Sequence, residues 1–363
     1  MKNELKIDLN LIRDNIKTYK IELGEKKFCA VVKADSYGLG AKKICEAIDD
    51  IVDYFAVSSR REFFEVKRHV SKPILLLTPI YKNITILAMR GCEFCVSNIF
   101  ELKTIERFAK RNKNIFYKIH LAFNTGMNRF GFSKFKEIDE LLDIVQKTQN
   151  IVICGIFSHF CVGNNKIIAE NQIKIFENFK KYLMTKINVE GLIFHISNTA
   201  GFENCKKFDM VRIGLGMFLK HNKQSFLLTA KIIEFQKIKS GETVGYGLGF
   251  LAQKNMKVAI VSIGYADGIF RKIDTNGYVL TNGKFSKILA VCMDSMIVDV
   301  TDINCSYLDD VVLIGKSGEN QIFVCDVARW CDTIEYEIMT SLSKRIKRVY
   351  IGGNINANNH RKI

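Results

Sequence analysis

Between residues 27 and 215, short apolar runs alternate with amphipathic stretches. This alternation restricts the fold more than any other property of the chain. The pattern predicts eight strands, at Phe28–Val32, Tyr54–Val57, Ile74–Leu77, Glu93–Val96, Phe116–Ala122, Ile151–Phe157, Leu192–Ile196 and Met210–Gly214. Their near-continuous apolar character suits strands covered on both faces. The clearest intervening segment runs from Lys166 to Met184, where Ile168, Ile173, Phe176, Phe179 and Leu183 recur at helical steps. Strand–helix alternation of this length predicts a (β/α)8, TIM-like barrel, with a doubly wound open sheet as the alternative.

After about residue 225 the texture changes. Leu227 to Phe235, Met256 to Ile263, Tyr278 to Leu280, Ile288 to Cys292, Ile297 to Val300 and Val311 to Ile314 are strand-like. Turns fall between them, and Asn282-Gly283 is a hairpin signal. Ile322 to Cys331 and Tyr336 to Leu342 have helical spacing. The expected division is therefore an α/β barrel domain over 1–224 and a C-terminal all-β domain over 225–363.

Composition excludes several classes. No apolar run approaches the ~20 residues of a membrane helix, and the first residues carry no apolar signal region, so a cytoplasmic protein is expected. The net charge of +16 is spread along the polar faces of helical segments, which argues for a solvated basic surface rather than a nucleic-acid or membrane partner. The 11 cysteines, Cys205 among them, are scattered and mostly sit in apolar runs. Cys92 and Cys95 form the one C-x-x-C pair, without a second pair at zinc spacing, so reduced thiols and no metal are expected.

The first predicted strand ends on Lys33, followed at once by a turn through Asp35, Ser36, Gly38 and Gly40. The C-terminal end of a buried parallel strand is where such architectures place chemistry. A lysine partly stripped of water there shifts toward its neutral form, which suits a Schiff base, although a charged residue opening a surface loop reads the same way.

The residues just after it shift the balance. Val31-Val32-Lys33-Ala34-Asp35-Ser36-Tyr37-Gly38-Leu39-Gly40 resembles the cofactor-lysine motif of the alanine racemases, pyridoxal-phosphate enzymes that interconvert L- and D-alanine. Further motifs follow in that family's order: Asn124-Thr125-Gly126-Met127-Asn128-Arg129, Ser158-His159, Ser197-Asn198-Thr199, Arg212-Ile213-Gly214-Leu215, Gly264-Tyr265-Ala266-Asp267-Gly268 and Cys292-Met293-Asp294.

The resemblance implies a role for each. Lys33 holds pyridoxal 5'-phosphate and acts as base on the D-substrate, while Tyr265 acts on the L-substrate from the opposite face. Racemisation needs such a pair, because a proton leaves one face and returns to the other. Tyr37, Thr199 and the amides of Gly214 and Leu215 hold the cofactor phosphate, with Asn198 also in the cofactor site. His159 bonds the catalytic tyrosine and lies near the cofactor ring. Arg129 and the Met293 amide bind the substrate carboxylate. Tyr265 and Met293 reach the site from the partner subunit of a homodimer. Arg212 faces the pyridine nitrogen and, being unable to accept its proton, favours racemisation over transamination or decarboxylation. D-alanine for peptidoglycan is the implied product.

The chain departs from the pattern at three places. Asn124 replaces an aspartate, and Ala122 replaces the carbamylated lysine that holds the arginine in many members, which leaves an anion or a water to position Arg129. Lys344 replaces a tyrosine that touches the phosphate and narrows the entrance in some members. These departures leave room for a broader racemase acting on serine or basic amino acids. A non-catalytic pyridoxal-phosphate homeostasis protein fits less well, since such proteins lack the β domain and the Tyr265 motif.

Overall fold

The computed structural model describes residues 3–204 and 207–353, so Cys205 lies outside the described residues. The chain divides into two compact units. One comprises residues 13–36 and 41–217, and the other comprises 1–12, 37–40 and 218–363.

The chain opens with strand β1 (Glu4–Asp8), which belongs to the second unit, and helix α1 (Leu9–Leu23). Leu9, Ile12, Ile16, Tyr19 and Leu23 of α1 are buried at three- and four-residue steps, an amphipathic signature the strand alternation begins too late to include. The first unit then runs through β2 (Lys27–Val31), β3 (Tyr54–Val57), β4 (Ile74–Leu76), β5 (Cys92–Val96), β6 (Tyr117–Ala122), β7 (Ile151–Phe157), β8 (Ile193–His195) and β9 (Met210–Ile213). All eight are parallel neighbours in the order β8-β7-β6-β5-β4-β3-β2-β9. Two backbone hydrogen bonds, Asp209 N to Phe194 O and Arg212 N to Ser197 O, join β9 to the β8 side and close the ring. The (β/α)8 expectation is met, and the open sheet is not found.

The helix at Lys166–Met184 has its expected bounds but not quite its expected face. Ile168 is 36% exposed, while Gln172 is 3% exposed. The core stripe therefore runs Ala169, Gln172, Ile173, Phe176, Phe179, Leu183, and a polar residue takes one of its places. Cys92 and Cys95 are both buried on β5. Three positions apart on a strand, they point to opposite faces and form no redox or metal pair. The ten described cysteines are free thiols.

In the second unit, strands β10 (Phe226–Ile238), β11 (Met256–Val261), β12 (Tyr278–Thr281), β13 (Lys284–Val291), β14 (Met296–Asp299), β15 (Asp310–Ser317), β16 (Asn320–Ile322) and β17 (Lys347–Ile351) join β1 in one sheet. The order is β16-β15-β12-β13-β14-β11-β10-β1-β17, and β15 also pairs with β10. Six strands thus close on themselves, which removes most exposed edges. The β12–β13 hairpin turns on Asn282 (φ 45°) and Gly283 (φ 78°), both left-handed as the Asn-Gly signal requires. Two short helices, Val324–Trp330 and Glu335–Ser341, complete the unit.

The first twelve residues differ from the expected division. β1 pairs antiparallel with β10 and parallel with β17, so the segment 1–12 belongs with the C-terminal strands although it opens the chain. Its alternating burial, with Leu5 and Ile7 covered, is that of a strand needing partners, and backbone hydrogen bonding decided which. Among the described residues no helix is long and apolar enough to cross a membrane.

Candidate active site

Lys33 stands where β2 ends. The four residues after it, Ala34, Asp35, Ser36 and Tyr37, have φ between 51° and 57°, a full turn of left-handed helix made without glycine. Each such residue costs about 1–2 kcal/mol, so neighbours must hold the turn. Glu62 accepts from the amide of Ala34 at 2.8 Å and from that of Ser58 at 2.7 Å. Asp35 accepts from the Ala41 amide at 2.7 Å, and the Ser36 amide donates to Val32 O at 3.0 Å. Backbone strain held by side chains in this way is characteristic of functional loops. Burial lowers the pKa of Lys33, and the positive charges of Arg129 and Arg212 act in the same direction against a pull from Glu62.

Arg212, on β9, is 3% exposed and enters the same field. Its Nη1 donates to His195 Nδ1 at 2.6 Å, and its Nη2 donates to Ser158 O at 2.7 Å and to His159 Nδ1 at 3.0 Å. A guanidinium can only donate. His159 Nδ1 is therefore an acceptor, and the His159 proton sits on Nε2. That nitrogen lies 3.3 Å from Nδ2 of Asn198, whose Oδ1 is engaged by the Gly201 amide at 2.9 Å. Two donors facing each other do not bond, so His159 presents an N–H to an incoming acceptor. Burial, then the charges of Arg212, Arg129 and Lys33, lowers the His159 pKa to about 3, which keeps the ring neutral.

The loops after β8 and β9 meet at Thr199. Its Oγ1 accepts from the amides of Gly214 and Gly216, both at 3.3 Å. Gly216 has to be glycine because a Cβ there would lie 2.4 Å from Tyr19 Oη and 2.9 Å from Thr199 Cγ2. Gly214, Leu215 and Gly216 form the start of a single 3-10 turn, so one hydroxyl and a run of backbone N–H groups gather at one corner. Such a cluster suits a phosphate.

Arg129 is exposed, and its guanidinium lies over the Phe130 ring, 4.6 Å from the centroid. Ala122 packs with Cys95 and Phe157 in an apolar cluster that also receives Phe130. The Phe130 face is thus one contact that orients Arg129, as a cation–π interaction allows. Asn124 holds its own loop by accepting from the amides of Gly126 and Asn128, each at 3.0 Å. A small pocket of about 20 Å³ lies among Arg129, Asn124, Phe157 and His159.

Three other sequence-predicted residues lie in the second unit. Tyr37 is buried, its ring edge-on to Phe218 and tilted against Tyr336. Tyr265 opens a 3-10 turn and is 38% exposed, while Met293 is 52% exposed. The two loops are stitched together, with Tyr265 N donating to Cys292 O at 3.0 Å and Ala266 N to Met293 O at 2.9 Å. A Cβ on Gly264 would sit 2.3 Å from Cys292 O and 2.4 Å from Met293 O, so glycine permits that approach. Lys344 is exposed.

Sequence reasoning missed the supporting polar groups. Gln172 donates to Thr125 Oγ1 at 3.1 Å and to His159 O at 3.0 Å, and accepts from the Cys161 amide at 3.0 Å. Glu93, His120 and His195 are buried inside strands of the barrel unit. A signal was present, since each interrupts an apolar run: Cys-Glu-Phe, Ile-His-Leu, Phe-His-Ile.

Comparison with known proteins gives a consistent result. Residues 7–221 match the family model described as alanine racemase, N-terminal domain, and residues 226–350 match alanine racemase, C-terminal domain. The chain is 31% identical to an alanine racemase of Lactococcus lactis subsp. cremoris over 95% of this chain and 96% of the relative. It is also 31% identical to alanine racemase 1 of Clostridium acetobutylicum, over 95% and 94%. Among solved structures it resembles alanine racemase from E. faecalis, with 28% identity, a TM-score of 0.89 and 96% and 98% of the two chains covered. It also resembles alanine racemase from Bartonella henselae with covalently bound pyridoxal phosphate, with 29% identity, a TM-score of 0.87 and 97% and 100% covered.

Proposed function

The chain belongs to the alanine racemase family, and on that premise we propose that it interconverts L-alanine and D-alanine with pyridoxal 5'-phosphate, using Lys33 and Tyr265 as opposed acid–base groups. The observation that carries this reading is the state of Lys33. It is a partly buried lysine at the C-terminal end of a barrel strand, with its ammonium disfavoured by burial and by two arginines. A lysine so placed is poised to be a nucleophile and a base.

The residues present fit the cofactor. The Thr199 hydroxyl with the Gly214 and Leu215 amides suits its phosphate, Tyr37 is assigned to the same group by resemblance, and Asn198 sets the loop beside them. When bound, pyridoxal phosphate supplies an electron sink that acidifies the Cα–H of an amino acid. Arg212, which can donate but not accept, offers the ring nitrogen a hydrogen bond and withholds a proton. Arg129 and the Met293 amide hold the substrate carboxylate. Lys33 takes or returns the proton on one face, and Tyr265 does so on the other. The His159 Nε2–H is available to the Tyr265 oxygen.

The exposure of Tyr265 and Met293, on loops tied to each other, supports their service to the site of a second copy, hence a homodimer. A cytoplasmic location and supply of D-alanine for peptidoglycan follow from the family reading. Ala122 and Lys344 keep a broader substrate range as the second reading.

The test is turnover of a panel of L-amino acids by the purified protein with pyridoxal phosphate, read by chiral chromatography. Preference for alanine is expected, comparable turnover of serine or basic amino acids would establish the broader reading, and cofactor binding without turnover would reject both. Lys33→Ala should lose the absorbance of the lysine-bound cofactor, and Tyr265→Ala should keep that absorbance while losing racemisation.

A further inference from the structure

A column of buried polar side chains crosses the barrel unit from β9 to β5. Arg212 Nη1 lies 2.6 Å from His195 Nδ1, His195 Nε2 lies 3.0 Å from His120 Nδ1, and His120 Nε2 lies 2.9 Å from Glu93 Oε2. Both histidines are fully buried, and Arg212 and Glu93 are each 3% exposed. None of the roles assigned above uses Glu93 or His120.

The chemistry of the two ends fixes every proton between them. Arginine offers donors and no acceptor, and a carboxylate offers acceptors and no donor. His195 must therefore present a lone pair on Nδ1 and carry its proton on Nε2. That proton is donated to His120 Nδ1, so His120 also carries its proton on Nε2 and donates it to Glu93. Both imidazoles are neutral, in the same tautomer, with their hydrogen bonds running one way from cation to anion. Burial, then the charge of Arg212, lowers the His195 pKa well below the usual value, in keeping with a neutral ring.

The packing is built around this column. A Cβ on Gly155 would lie 2.3 Å from His120 Nδ1, and the β6–β7 register shifts between Ile119 and His120, so backbone and sequence both make room for the ring. Phe157 stacks on His195 with centroids 5.1 Å apart and planes 6° from parallel. Lys118 approaches Glu93 Oε1 at 3.9 Å from a more exposed position, and burial, then the charge of Glu93, raises the pKa of Tyr54.

We propose that Glu93 and His120 are positioning residues for Arg212, with the carboxylate supplying a counter-charge that two tautomer-locked imidazoles carry to the guanidinium. A buried cation needs compensation, and the column places the Glu93 carboxylate at its far end, two hydrogen-bonded rings away. The guanidinium is held charged and pinned, leaving it a hydrogen-bond donor that cannot act as a proton relay. The consequence for catalysis rests on Arg212 facing the cofactor's ring nitrogen, as proposed above. The existence of the column rests on its own geometry.

Nitrogen NMR of the histidine-labelled protein tests the column without any substrate. Between about pH 6 and 8, where a free imidazole titrates, His120 and His195 should both stay neutral with the proton on Nε2. An imidazolium, or a proton on either Nδ1, would overturn the proposal. Glu93→Gln keeps the size of the side chain and removes the charge, and His120→Phe breaks the column if the first variant is poorly folded. Either should speed hydrogen exchange of the Arg212 guanidinium and weaken pyridoxal phosphate binding, each by about tenfold, the lower end for outer partners of a functional ligand. Exchange and affinity both within twofold of wild type would refute it. If these effects appear in a protein that racemises no amino acid, the column stands and the proposed activity falls.

Discussion

Glu101 gives the sharpest pH prediction. Its side chain is fully buried at the start of the helix Ile99–Arg111. Oε2 accepts from the Ser97 amide at 2.9 Å and from the Ser97 hydroxyl at 3.3 Å, whereas Oε1 lies toward the Ile80 backbone without meeting hydrogen-bond geometry. Burial outweighs those bonds and raises the pKa from 4.5 to about 7. Near pH 6 the folded protein therefore holds a proton that the unfolded chain has released. The unfolded state binds fewer protons, so stability falls as pH rises. The stabilisation is complete below 4.5, is lost as pH rises through about 7, and changes no further above that. At 1.36 kcal/mol per unit, the loss is about 3 kcal/mol. Glu101→Gln cannot ionise. The stability difference between variant and wild type, from chemical denaturation at matched pH, should shift in favour of the variant by that amount between about pH 5 and 8. Everything else that titrates cancels in the difference. Parallel pH curves for the two proteins would refute the reasoning.

Three further outcomes are expected. Gln172→Ala removes the side-chain partners of His159 O and the Cys161 amide and leaves the buried Thr125 hydroxyl only its bond with Ser158, and each unsatisfied group costs about 1–3 kcal/mol; an unchanged denaturation midpoint would count against the buttress. Gly264→Ala should push the Tyr265 loop off Cys292 and Met293 and lower turnover by about a hundredfold with circular dichroism unchanged; wild-type turnover would show that the approach is not needed. His159 is already neutral well above about 3, so His159→Gln should keep the shape of the pH–rate profile while lowering its height; loss of a limb near neutral pH would mean that His159 titrates there.

Elements with strong periodicity were legible. Tyr54–Val57, Ile151–Phe157 and Lys166–Met184 have their predicted bounds, because a buried parallel strand and an amphipathic helix are each written in the order of apolar residues. Chain position misled at the N-terminus. The segment Glu4–Asp8 has a strand's burial pattern, but its partners β10 and β17 lie hundreds of residues away in sequence. The left-handed turn after Lys33 was legible only as a turn, since nothing in Ala-Asp-Ser-Tyr announces four positive φ angles. Glu62, well downstream of it in the chain, helps hold it there.

The sequence by itself determined the two architectures, the lysine at a strand end and the order of the motifs, because these depend on residue types and spacings along the chain. The tertiary structure decided which donor meets which acceptor. Arg129 rests on Phe130 because Ala122, Cys95 and Phe157 leave the neighbouring space apolar. Arg212 is tied to Glu93 through two histidines because β5, β6, β8 and β9 bring their side chains into one interior. Hydrogen bonds are directional and short, so a site's proton inventory is fixed by distances between strands that only closure of the barrel sets.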